Sequence, residues 1–459
     1  MNTVVSLNPA TGDIVGETTM STKVDVAKAV EKAKKAFPEW KRTPVNKRTD
    51  YFRKFHQLLV KHKEELATLT TKEMGKPVKQ ARDEVDWELG FINWYIDNAE
   101  TALAGQILKE TTQAIYKISY EPWGVCASIA PWNFPVSMAS SGICQQVLVG
   151  NCVIFKPSEY TTLTQKRFID LLNETGIPKG VVQGVYGDGE VGKMLVAADI
   201  DLVWFTGSTV VGQEIYAKCG RKFIKGIMEM GGSSPGIVFT DCDLETTLEQ
   251  LYWARFLCNG QVCSAIKRLF VEKSLLRTVV DRLKERLINT RVGDPLTDVD
   301  FGPLVAKEQL DLLIAQVDDA KTQGATVEIG GNQPVGEKFN KGNYYLPTIL
   351  TNVTHDMRVY QEETFGPVLA ILPFETEEEA IELANDTPYG LSAEIYTTDL
   401  KKADRVAREL QSGMIGINTD SLYWPWCPIG GYNKSGMGRE YGIEGFRELA
   451  QIKYICVAK

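Results

Sequence analysis

The stretch 21–37, STKVDVAKAVEKAKKAF, places Val26, Val30, Ala33 and Phe37 on one face at helical spacing. Thr22 and Asp25 form a capping pair at its start. Helical periodicity continues to about residue 105 and then gives way to AIYKISYEPWGVCASIA. The alternation and β-branched content of that stretch predict a strand or hairpin. From about 147 to 240, short apolar runs alternate with helical segments. GNCVIFK, GVVQGVYG, IDLVWFTG and GIMEMGG read as buried strands. TQKRFIDLLNETG, ending at a glycine stop, and EVGKMLVAA read as helices. Alternation at such short intervals predicts a parallel sheet covered by helices. A second α/β region runs from about 240 to 430. Its helices include TEEEAIELAND, opened by Thr376 and Glu379 as a capping box, and TDLKKADRVARELQSG, closed by Gly413. With no internal repeat or low-complexity linker, the domains are expected to be interleaved.

Composition narrows the partners. At 459 residues and 44% hydrophobic content, the chain has room for a large core and two or three domains. Its 51 basic and 59 acidic residues are mixed, with a net charge of −8 and no long basic run. Nucleic acid and anionic membrane surfaces are therefore not expected partners. No apolar run approaches the roughly 18 residues that span a bilayer. The start, MNTVVSLNPATGDIVG, lacks a charged region followed by an apolar one and reads as a mature cytoplasmic terminus.

Nine scattered cysteines and three histidines set the range of chemistry. An odd, dispersed cysteine set predicts reduced thiols rather than a disulfide framework. Cys258 and Cys263 stand five residues apart with no second pair to complete a zinc site, so no metal is expected. His56, His62 and His355 are remote from both in sequence. A cysteine acting here would draw on a carboxylate or a bound water as its base.

Cys258 falls seven residues after Leu251 and shares the helical phase of LEQLYWARFLC, which predicts a core thiol. Asn259-Gly260 then supplies a helix stop. Cys263 lies beyond that stop in a polar turn before SAIKR, where backbone N–H groups and nearby Lys267 and Arg268 favour a thiolate; a second buried thiol is the equal alternative. A nucleophilic cysteine also needs a base and an oxyanion donor. Glu229 ends a strand in MEMGGSSPG, and Asn133 sits between aromatics and prolines in APWNFP. Two glycine loops compete for a phosphate. GDGEVG, with Gly187, Gly189 and Gly192, matches G-x-G-x-x-G only loosely; FTGSTVVG places Gly207, Ser208 and Gly212 between a strand and a helix N-terminus. Lys156 and Glu159 in FKPSE follow a buried strand, the place where a parallel sheet presents ligands, although a lysine and a glutamate there are also common at a surface.

Over nearly its whole length the chain resembles the NAD(P)-dependent aldehyde dehydrogenase superfamily. The motifs NPATGDIVG, PWNFP, FKPSE, FTGSTVVG, EMGGSSP, GQVCSA, EETFGPV, ANDTPYGLSA and PIGGYNKSGMGRE come in the family's order. The resemblance implies an α/β fold of two interleaved Rossmann-like parallel-sheet domains with a β-hairpin oligomerisation arm. Residues 1–106 and 127–230 would form the dinucleotide-binding domain and 231–430 the catalytic domain. Residues 107–126 and 447–459 would form the arm, implying a homodimer or homotetramer. It implies that Cys263 attacks an aldehyde to give a thiohemiacetal and then a thioester, that Asn133 and the Cys263 N–H form the oxyanion hole, and that Glu229 activates the hydrolytic water. Trp132, Lys156, Ser158, Glu159, Gly207, Ser208, Glu363 and Phe365 would hold the cofactor. Glu159 beside a ribose 2′-OH would repel a 2′-phosphate, which favours NAD over NADP, although Lys156 and Ser158 offer NADP a partner.

The chain departs from the pattern at several positions. Gly142 stands where several members carry a lysine, and Gln451 where many carry a glutamate, so proton-relay roles do not transfer to either. Ile429 replaces an aromatic, and Asn433 takes a position often held by lysine. EMGKPVKQAR and EMGGSSP look most like short bacterial succinate-semialdehyde dehydrogenases, which makes succinate semialdehyde the first named substrate. Yet Ser141 and Leu257 occupy positions where relatives place a carboxylate-binding arginine. The expected pocket, Phe134, Met138, Ser141, Leu257, Val262, Tyr423, Trp424 and Trp426, equally suits an uncharged aliphatic or aromatic aldehyde, or an aminoaldehyde through cation–π contacts. A CoA-acylating enzyme and a silent nucleotide-binding relative are the other readings; Glu229 argues against the first, and Cys263 with Glu229 against the second.

Overall fold

A computed structural model describes residues 2–420 and 422–459. Its centre is a six-stranded sheet in the order Gly436–Met437, Lys225–Glu229, Leu202–Thr206, Val125–Ile129, Cys152–Lys156, Val182–Gly184. All pairings are parallel except the two-residue Gly436–Met437, which runs antiparallel to Lys225–Glu229. Helices Lys23–Trp40, Pro135–Val149 and Thr162–Glu174 pack against this sheet around a dry core that includes Phe155, Trp204 and Leu148. The strands read as unbroken apolar runs because both faces are covered.

A second sheet has seven strands in the order Thr326–Ile329, Thr348–Thr351, Val368–Phe374, Ile266–Glu272, Ser234–Val238, Ser392–Tyr396, Met414–Ile417. It is parallel except at the edge strand Thr326–Ile329. The architecture is α/β with two Rossmann-like parallel-sheet layers. Gln106–Glu110, Ala114–Pro122 and Ala450–Ala458 form a separate antiparallel ribbon. Val125–Ile129, taken in sequence as the continuation of the hairpin, instead belongs to the central sheet. The break falls at Pro122 and Gly124, whose φ is +143°.

Local signals hold at the first helix, where Thr22 and Asp25 form a reciprocal capping box. At Thr376 the side chain accepts from the Glu379 N–H, but the Glu379 carboxylate reaches past the cap to the Glu375 N–H (2.6 Å). Gly413 does not close its helix, which ends at Glu409. It is glycine because a Cβ there would lie 1.8 Å from the Gly430 carbonyl.

All nine cysteines are free. Among the described residues no helix is long and apolar enough to cross a membrane, and no group of three or more His, Cys, Asp or Glu is placed to share a metal ion.

Candidate active site

The turn after helix Leu244–Phe256 separates the two cysteines by backbone rather than by helical phase. Cys258, Asn259 and Gly260 follow one another at φ of 54°, 57° and 72°, so the helix has already ended at Phe256. Cys258 is fully buried, as expected, but not for the helical phase that predicted it. It packs on Met74, Val305 and Ala306, not on the inner face of the helix, and its Sγ donates to the Asn133 carbonyl (3.4 Å). Asn259 is held by the Pro303 carbonyl and the Gly302 N–H, which fixes the left-handed turn. Cys263 emerges beyond it, half-buried, with its Sγ 3.7 Å from the Tyr423 hydroxyl.

Three chain segments converge on this turn. Asn133 is buried and its Nδ2 donates to the Gln261 carbonyl (3.0 Å), two residues before Cys263. Glu229 ends its strand, and Gly231 and Gly232 carry the chain past the turn. A Cβ on Gly231 would meet the Glu363 carboxylate at 2.1 Å, and one on Gly232 would lie 3.1 Å from the Cys263 carbonyl. The two glycines let the chain pass close to both groups. Glu363 Oε1 accepts from the Gly232 N–H (3.1 Å).

Trp132 stands edge-on to Phe365 (centroids 5.4 Å apart) and to Tyr160 (6.4 Å). Around Cys258, Trp132, Phe134, Leu257 and Val262 share one apolar cluster. Ser141 donates to the Ser137 carbonyl (2.8 Å) and meets the Tyr441 hydroxyl; Met138 packs into the main core. Trp424 and Trp426 stack at 5.1 Å with 12° between their planes and stay about half exposed.

Lys156 and Glu159 pair at 3.2 Å at the carboxyl end of their strand, with Lys156 buried. The Ser158 hydroxyl accepts from the Tyr160 N–H (3.3 Å), capping the short turn Glu159–Thr161. Ser208 begins helix Thr209–Lys222 without a side-chain cap bond. Gly207 must be glycine because a Cβ there would strike the Phe205 ring at 2.5 Å. Asp188, inside the loose G-x-G-x-x-G match, is a helix N-cap through the Glu190 N–H.

The aldehyde dehydrogenase family description matches residues 1–455. The chain belongs to this family. It is thereby an NAD(P)-dependent aldehyde dehydrogenase. Betaine aldehyde dehydrogenase from Staphylococcus aureus, solved in complex with NAD+, is 34% identical, with 99% of this chain and 91% of that chain covered at a TM-score of 0.95. Aldehyde dehydrogenase from Bacillus cereus, also solved with NAD+, is 34% identical, with 100% and 93% covered at 0.96.

For an aldehyde dehydrogenase, one further group stands out that the sequence reading passed over. Glu440 is buried beside Glu229: Gly436–Met437 pairs antiparallel with Met228–Glu229, and Glu440 pairs back with Ile429. Burial pushes the Glu229 carboxyl well above its usual range, the charge of Glu440 adds to this, and Arg439 opposes it. Burial raises Glu440 to about 8, against the opposing hydrogen bonds of Trp204 and Thr206. One oxygen of each lies buried without a hydrogen-bond partner among the described residues. The signal was present in sequence as the last residue of PIGGYNKSGMGRE; only strand pairing shows which carboxylate it faces. Gln451 lies in the ribbon, its amide donating to the Pro122 carbonyl (3.4 Å). The space a side chain at Gly142 would need is filled, since a Cβ there would sit 2.9 Å from Trp204 and 3.0 Å from Phe155.

Proposed function

We propose that this enzyme is an NAD-preferring, non-acylating aldehyde dehydrogenase, with Cys263 as nucleophile, Asn133 and the Cys263 N–H as oxyanion donors, and Glu229 as base. The observation that carries the reading is the convergence of three distant segments on the Cys263 turn. Asn133 is held two residues from the nucleophile, and Gly232, three residues after Glu229, passes against the Cys263 carbonyl. The cofactor-binding residues fit a dinucleotide. The Lys156–Glu159 pair suits a ribose diol, Ser208 leads a helix N-terminus suited to the pyrophosphate, and Glu363 suits the second ribose. Trp132 and Phe365 would flank the nicotinamide. Glu159, beside the adenosine ribose, would repel a 2′-phosphate by like charge, which supports NAD over NADP.

Bound NAD supplies a hydride acceptor. Cys263 thiolate adds to the aldehyde carbon, and the carbonyl oxygen takes the negative charge, stabilised by the Asn133 amide and the Cys263 N–H. Loss of hydride leaves a thioester on Cys263. Glu229 takes a proton from water, hydroxide adds to the acyl carbon, and the thiolate leaves as the acid is released.

A general base works deprotonated, so activity is present above its pKa and falls as pH drops through it. Because the Glu440 charge raises Glu229, Glu440→Gln is expected to move the acid limb of the kcat profile to lower pH. An unmoved or rising limb would refute the coupling. Glu229→Gln should leave the thioester standing on Cys263, visible as an acyl adduct by intact mass, with steady-state turnover down about 10²–10⁴-fold.

For the substrate, the eight pocket positions carry no cation, and Tyr423, Trp424 and Trp426 offer aromatic faces. This supports an uncharged aldehyde or a cationic aminoaldehyde over succinate semialdehyde, whose distal carboxylate wants a cation. kcat/KM over an aldehyde panel with NAD and NADP decides this; succinate semialdehyde as best substrate would reverse the order. The ribbon, with Ile107, Leu108, Ile452, Tyr454 and Val457 exposed, supports assembly by strand addition into a dimer or tetramer. Sedimentation as a monomer at micromolar concentration would exclude it.

A further inference from the structure

Lys267 is a buried ammonium that the steps above leave unused. It lies on strand Ile266–Glu272, its side chain fully enclosed. Its Nζ donates to the carbonyls of Cys263 (2.5 Å) and Val262 (3.0 Å). Glu363 Oε1 is 3.5 Å from the same nitrogen, and the Phe365 ring centroid 5.9 Å. An enclosed cation costs several kcal/mol in desolvation. Here it is spent on the turn that carries the nucleophile and on a carboxylate of the cofactor site.

We propose that Lys267 is a positioning residue for the thiol chemistry: it fixes the two carbonyls of the Val262–Cys263 turn, and its charge stabilises the Cys263 thiolate. The proposal rests on Cys263 being the nucleophile. The groups facing the sulfur are Lys267, the Tyr423 hydroxyl, Glu363 and Glu229. Burial pushes the thiol up, and the two carboxylates add to this. Lys267 is the largest opposing influence, followed by Tyr423. Lys267 itself is faced by Glu363, Arg255 and Cys263; burial chiefly brings it down to about 8, with Glu363 opposing and Arg255 reinforcing. From the helix Pro135–Val149 no cation takes its place, because the Gly142 slot is filled by Trp204. When the thiol ionises, its proton leaves to solvent and Lys267 keeps its own. As pH rises past about 8, Lys267 loses its charge and the thiolate loses that support.

The test is the pH dependence of iodoacetamide alkylation of the cofactor-free enzyme, following the Cys263 peptide by mass spectrometry to separate it from the other eight cysteines. Lys267→Gln keeps a donor for the carbonyls and removes the charge. Its alkylation is expected roughly tenfold slower than the parent's at pH 7.5, where Lys267 is still largely charged, with the two profiles converging above pH 8. Lys267→Arg should return the pH 7.5 rate to near the parent's. Coincident parent and Lys267→Gln profiles would overturn the proposal. If Lys267→Gln does not fold, Lys267→Arg carries the test: its charge persists above pH 8, so alkylation of Cys263 there should be faster than in the parent, and a profile coincident with the parent's overturns the proposal. Activity surviving complete alkylation of Cys263 would instead sink the nucleophile assignment. Activity lost with an unshifted Lys267→Gln profile removes only the role of Lys267.

Discussion

Cys263→Ala is expected to lower aldehyde-dependent NADH formation by about 10⁴-fold or more, because the only other thiol of this turn, Cys258, is buried and cannot carry the acyl intermediate. Cys258→Ala should keep kcat within a few-fold. Its cost falls on stability, about 1–2 kcal/mol, for the small cavity left against Met74, Val305 and Ala306. The contrast is the informative part. Both thiols lie in one short loop, and burial raises both, Cys258 to about 11. They differ in surroundings: Cys258 is fully buried, its sulfur tied to a carbonyl and faced by the Lys76–Glu84 pair, whereas Cys263 is half-buried beside Tyr423. Full activity in Cys263→Ala, or loss confined to Cys258→Ala, would sink the assignment. NADH absorbance and a thermal melt on each variant suffice.

Lys76→Met should destabilise the fold by about 3–5 kcal/mol, because it strands a carboxylate in the core. Lys76 Nζ donates to Glu84 Oε2 at 2.6 Å, and both side chains are fully enclosed. The other Glu84 oxygen accepts from the N–H groups of Val136 (2.8 Å) and Ser137 (3.1 Å), in the first turn of helix Pro135–Val149. The ammonium also sits 3.7 Å from the centroid of Phe134, next to Asn133. The pair therefore pins the segment that presents Asn133, the proposed oxyanion donor. Lys76→Met paired with Glu84→Gln should recover much of the loss, since the stranded charge is gone. Urea midpoints of the single and double variants measure this. A Lys76→Met midpoint equal to the parent's would refute it. kcat/KM should fall with the single change, as Asn133 loosens.

The motifs were legible because each answers a local need. Thr22 and Asp25 cap a helix within one turn, and GST places a hydroxyl at a helix N-terminus. Where the reading failed, a long-range contact had overridden the local signal. Helical phase assigned Cys258 to a helix that had already ended, since Asn259 is held in its left-handed turn by Pro303 and Gly302. Gly413 looked like a helix stop but is small for the sake of Gly430. Glu440 ended a quoted motif without a role, because its partner lies 211 positions earlier and meets it only through antiparallel pairing.

By itself the sequence determined the alternation that makes a parallel sheet, the family, and the identity of the groups able to do thioester chemistry. Those are properties of residue type and short spacing. Tertiary structure alone decided which groups meet. It set Glu440 against Glu229 and Lys267 against the Cys263 turn, closed the Gly142 slot with Trp204, and gave Cys258 to the core. Each of these depends on burial and on distance through space. A charge or a thiol changes its chemistry with both, and neither is written in the order of the chain.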